Sequence, residues 1–133
     1  MIDTAANTPA WVLLFMGIYA LAAAIGELRA PGFWARMVGE LNQSRALQFL
    51  TGLLCIVLGA AIYLTNPWNP SDWMSVVVAL LGGWIVIEGA LILAFGDLFM
   101  KFAARLMGAA SMLWAGLSAL IGVAAIIAAL LRL

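Results

Sequence analysis

Four long apolar stretches, at roughly 10–26, 46–65, 74–96 and 107–131, hold a single charged residue between them, Glu88. Each approaches the ~20 residues a helix needs to cross ~30 Å of hydrocarbon. Inside lipid no water is present to bond N–H and C=O groups, so stretches of this length must be helical. The period-two alternation of barrel strands is absent. The expected fold is all-α: a polytopic membrane protein with four transmembrane helices. At 133 residues there is room for one domain. With 67% apolar and 9% charged residues, the chain lies far from the ~45–50% and ~25% of soluble domains. A small soluble fold leaves too much of its area exposed to hide that apolar surface.

Composition also excludes chemistries. Six basic and six acidic residues cancel, which argues against a nucleic-acid partner. Histidine is absent and Cys55 is the only cysteine, so no metal site and no intrachain disulfide are expected. No phosphate-cradling glycine loop, nucleophile triad or CxxC pair is present, and neither cofactor nor enzymatic activity is expected. The first ten residues carry Asp3 and no Lys or Arg, unlike the positive n-region of a secretory signal. The first apolar run therefore reads as a retained span.

Charge in the connections sets an orientation. Arg29, Arg36 and Arg45 lie between spans one and two, and Lys101 and Arg105 between spans three and four. The connection from Asn66 to Trp73 has no basic residue. The positive-inside rule then puts both basic loops in the cytoplasm and both termini on the opposite, periplasmic side. Trp11, Trp68 and Trp73 would form an aromatic belt there. Arg132, near the C-terminus, runs against that rule.

The halves, about 10–65 and 74–131, resemble each other. A shift of 65 residues lays Gly17 on Gly82, Arg36 on Lys101 and Leu41 on Leu106; one-residue slips then bring Gly52 onto Gly116 and Gly59 onto Gly122. Each half reads as span, short amphipathic segment, span. Phe33, Trp34, Met37 and Leu41 oppose Arg36, Glu40 and Gln43 in the first; Leu98, Phe99, Phe102 and Leu106 oppose Lys101 and Arg105 in the second. Such segments lie in the interface plane, their apolar side toward lipid. Two hairpins in parallel, related by a pseudo-twofold along the membrane normal, are the expected arrangement.

Val86-Ile87-Glu88-Gly89, Lys101, Arg105 and Gly116 in one half, with Ala30-Pro31, Trp34, Arg36-Met37, Glu40-Leu41 and Gly52 in the other, are similar to a known pattern. It is that of a family of short two-span bacterial inner-membrane proteins of unknown function. The first half departs from it, with Ala23-Ala24 where Glu-Gly is found in the second. The resemblance implies a fused, diverged duplication of the hairpin in a bacterial inner membrane.

Glu88 is the residue most able to carry chemistry. A carboxylate inside a span costs on the order of 2–3 kcal/mol even on forgiving insertion scales, so it is expected to face other helices. Tyr19, Cys55 and the 114–118 segment count to a similar depth, and Tyr19 or Ser118 could hydrogen-bond it. Gly82 and Gly89, like Gly52 and Gly59, recur at seven-residue spacing, and with Gly116 they read as close helix contacts. Arg29, Arg36, Arg45, Lys101 and Arg105 read as solvated charges meeting lipid headgroups.

Two functions fit. The first is a non-enzymatic accessory, assembly or stabilising subunit of a larger membrane complex, with lipid and a membrane-protein partner or a second copy around it. The alternative is a small proton-coupled transporter using Glu88, with Trp84 one turn away. The run from Leu81 to Glu88, followed by Met100-Lys101-Phe102, resembles the opening of small four-span multidrug exporters. Their glutamate sits in the first span, however, and here the match falls in the third.

Overall fold

The computed structural model describes residues 7–133, with the backbone alone at 109 and 110. Asp3, on which the reading of the N-terminus rests, lies outside the described residues. Helices α1 (Thr8–Arg29), α2 (Phe33–Gln43), α3 (Arg45–Thr65) and α4 (Trp73–Arg132) account for nearly all of the chain, with no strand among the described residues. Four helical stretches are long and apolar enough to cross a membrane: α1, α3, and the Trp73–Gly108 and Ser111–Arg132 portions of α4.

Local chemistry explains the boundaries. Pro9 opens α1, where its missing N–H costs nothing. Gly32, at φ 92°, is the one left-handed residue described, and it lets the chain turn from α1 into α2 without a Cβ penalty. The Ser44 hydroxyl accepts from the Leu47 N–H to start α3, and the Asp72 carboxylate accepts from the Met74 N–H to start α4.

Helix α4 spans 60 residues, which would measure ~90 Å if straight. Its ends nevertheless meet, since Arg132 Nη1 lies 2.8 Å from Asp72 Oδ2. It therefore doubles back, with Trp73–Gly108 as a descending arm and Ser111–Arg132 as a returning arm. The second amphipathic segment is thus part of α4 and not a separate element between spans. Leu98 and Phe102 stay exposed, whereas Met100, Ala103 and Met107 turn onto Val38 and Leu41 of α2.

The helices pack as two close pairs. In one, α3 meets the descending arm: a Cβ on Gly59 would sit 2.6 Å from the Gly82 carbonyl oxygen, and one on Gly89 2.6 Å from that of Gly52. In the other, α1 meets the returning arm, where a Cβ on Gly17 would lie 2.9 Å from the Gly122 carbonyl oxygen. Bare backbones in contact replace the hydrophobic driving force that lipid does not supply. Gly116 does not belong to this set. Among the described residues nothing lies within 4 Å of its Cβ position, and it lines an open apolar groove with Met112, Leu113 and Leu120.

Two buried clusters close the ends of the bundle, and the first of them joins the pairs. Ala10, Leu13, Met74, Val78 and Ala129 close the end near Asp72 and Arg132. Val38, Ile92 and Met100 close the opposite end beneath α2.

Candidate functional site

Glu88 lies between those clusters. At 100° per residue it is fourteen residues beyond Met74 and four before Ile92, so all three share one side of the descending arm. That side faces the seam between the helix pairs, whereas the adjoining Gly82–Gly89 row faces α3. Glu88 is partly exposed, and among the described residues no hydrogen bond reaches its carboxyl group. The Cys55 Cβ of α3 would lie 2.9 Å from a Cβ at Gly89, the residue after Glu88.

The other residues expected to gather around Glu88 are turned elsewhere. Ser118 Oγ donates to the Ala20 carbonyl oxygen at 2.9 Å, tying the returning arm to α1. Tyr19 is 71% exposed, since it sits two residues past Gly17, on the opposite side of α1 from the returning arm. Trp84 is 61% exposed on the outer face, one turn from Glu88. The structure leaves an acid and an indole on the exposed margin of the seam.

A second carboxylate, that of Glu27 near the end of α1, is fully buried. Glu27 Oε1 accepts from the Gly32 N–H at 3.0 Å and Oε2 from the Trp34 N–H at 2.8 Å. It fills the orphan donors of α2, whose start has no Ser, Thr, Asp or Asn to do so. Arg36 adds charge attraction. Trp34 Nε1 donates to the Ala23 carbonyl oxygen at 3.1 Å, so α2 is fastened back onto α1.

Arg29 ends α1, Arg36 lies in α2, Arg45 opens α3, and Lys101 and Arg105 lie in the stretch packed on α2. All five are exposed at one end of the molecule. At the other end, Asn66 Nδ2 donates to the Ser75 carbonyl oxygen, and Ser75 Oγ donates to that of Pro67. Burial pushes the Asp72 carboxyl up, but the Arg132 hydrogen bond and charge with the Met74 and Ser75 amides outweigh it. The group is left below the ordinary carboxylate range. Arg132, the exception to the charge pattern, is thereby neutralised. Trp68 and Trp73 are exposed at this end, while the Trp11 indole N–H is buried without a partner among the described residues. Among the described residues no three His, Cys, Asp or Glu side chains gather as a metal would require.

Protein-family models, curated proteins and solved structures contain no match to this chain. What fold and site define is a class: an all-helical protein with four helices long and apolar enough to cross a membrane, carrying one acid at the seam between two helix pairs.

Proposed function

We propose that this chain is a non-enzymatic subunit that helps assemble or stabilise a larger membrane complex, docking through the margin that carries Glu88 and Trp84. The observation that carries this reading is the Glu88 carboxyl group, partly exposed and without a hydrogen-bond partner among the described residues. An unsatisfied carboxyl group in hydrocarbon is costly, and a polar group on a neighbouring helix would relieve that cost. Trp84 beside it supplies the kind of large, rigid anchor that dominates interfaces.

The transporter alternative draws less support. At the level of Glu88, α3 and the descending arm are closed by the Gly52–Gly89 contact, and neither Tyr19 nor Ser118 turns toward the acid. The membrane is taken to be a bacterial inner membrane, with the Arg29, Arg36, Arg45, Lys101 and Arg105 end in the cytoplasm and both termini in the periplasm. Duplication of a two-span hairpin accounts for the glycines. The pseudo-twofold would map the α1–returning-arm contact, Gly17 with Gly122, onto the α3–descending-arm contact, Gly82 with Gly59. In a duplicated chain of this kind each half packs its spans on those of the other half.

Purification of the tagged chain from native membranes in gentle detergent tests the subunit reading. A stoichiometric second protein, retained by Glu88→Gln and lost with Glu88→Ala, is the expected result. Proton-coupled flux in vesicles containing the chain alone, abolished by Glu88→Gln, would replace this reading with the transporter.

A further inference from the structure

At the basic end, α3 and the descending arm part just beyond their last glycine contact. The opening is a cavity of about 450 Å³, within the range of small-ligand sites. Arg45 and Asp97 line it from opposite helices, with Asn42 and Gln48 beside them and Phe49 and Leu93 below. Among the described residues neither Arg45 nor Asp97 has an ion-pair or side-chain hydrogen-bond partner, although Lys101 follows Asp97 by one helical turn. Gln48 is held in place: its Nε2 donates to the carbonyl oxygens of Leu41 at 2.9 Å and Asn42 at 3.3 Å. Its Oε1 occupies the space that a side chain at Gly96 would need, so Gly96 is what lets Gln48 form the rear wall.

We infer that this cleft binds the headgroup of a zwitterionic aminophospholipid, the phosphate on Arg45 and the ammonium on Asp97. The inference rests on membrane insertion and not on the subunit reading. Four features favour that ligand class. The opening lies where the apolar span gives way to charge, the level of lipid headgroups. Phe49 and Leu93, both substantially exposed, continue the cleft as an apolar track for an acyl chain. The two charges that line the cleft cancel. An anionic lipid would satisfy Arg45 but bring its charge against Asp97, whereas an aminophospholipid satisfies both. The first amides of α3, beside Arg45, add partial positive charge on the phosphate side.

Native mass spectrometry of the purified protein tests this, with equimolar dioleoyl phosphatidylethanolamine, phosphatidylcholine and phosphatidylglycerol in the detergent. The wild type is expected to retain phosphatidylethanolamine over phosphatidylglycerol by roughly threefold, the size one partly exposed ion pair confers. Phosphatidylcholine, whose methylated nitrogen has no N–H to donate, should fall below phosphatidylethanolamine. Asp97→Asn should erase the preference, and Arg45→Gln should lower retention of all three lipids. Equal or greater retention of phosphatidylglycerol by the wild type would overturn the inference, as would an unchanged ratio in Asp97→Asn.

Discussion

The two helix pairs use the same device to different extents. Between α3 and the descending arm, glycines face each other twice, at Gly59–Gly82 and Gly52–Gly89, so the backbones stay in contact for two turns. Between α1 and the returning arm they meet once, at Gly17–Gly122, and a hydrogen bond from Ser118 to Ala20 takes the place of a second glycine contact. Seven residues advance a helix by about 700°, within about 20° of the same side, so Gly52 and Gly59 share a face. Gly116 and Gly122 are six apart, about 120° from alignment, and only one of them can face α1. Spacing decides how far a glycine contact extends, more than glycine content does.

That contrast orders the effects of substitution. Gly59→Leu should be the most damaging, because its Cβ meets the Gly82 carbonyl and the Val86 amide, backbone groups that cannot turn aside. A loss of about 3 kcal/mol is expected, at the upper end of overpacking costs, measured by denaturation in mixed micelles. Gly17→Leu should cost less, about 2 kcal/mol in the same assay, since two of its three nearest neighbours are the Ile126 and Ala125 side chains. Ser118→Ala should remove about 0.6 kcal/mol, the average for an intramembrane hydrogen bond. Gly116→Leu should change stability by less than about 0.5 kcal/mol, as for sites without packed neighbours. If Gly116→Leu proved as harmful as Gly17→Leu, the pairing described here would be wrong.

A pH titration probes the end where the two pairs are closed together. Asp72 has its carboxyl below the ordinary range, so its contribution is present in full above the unfolded value of about 3.9. It is lost as pH falls through the lower folded value. The acid limb of the stability profile should therefore flatten in Asp72→Asn.

Much of this architecture was legible in the sequence, for reasons that mark what was not. The apolar runs fixed the four helical stretches because lipid leaves the backbone no alternative. The seven-residue glycine spacing marked the face by which α3 meets the descending arm. Gly116 was misplaced because alignment with Gly52 ignored the helical phase lost in the slips. Glu27 was missed because the amides it caps lie five and seven residues downstream, beyond the local capping signature. A usable signal existed: α2 begins after Gly32 without a capping side chain, and the nearest upstream acid is Glu27. The side chains around Glu88 could not be read from depth alone, because depth fixes height along a helix and leaves rotation open. Tyr19 and Ser118 sit near that depth and turn elsewhere.

Photo-crosslinking from position 84 in native membranes tests the central claim most directly. With benzoylphenylalanine at Trp84, the expected result is a discrete adduct whose added mass is not a multiple of the 14.1 kDa chain, lost when Glu88 is also changed to Ala. Uncrosslinked chain alone, or a ladder of chain multiples, would contradict a role as subunit of a larger complex.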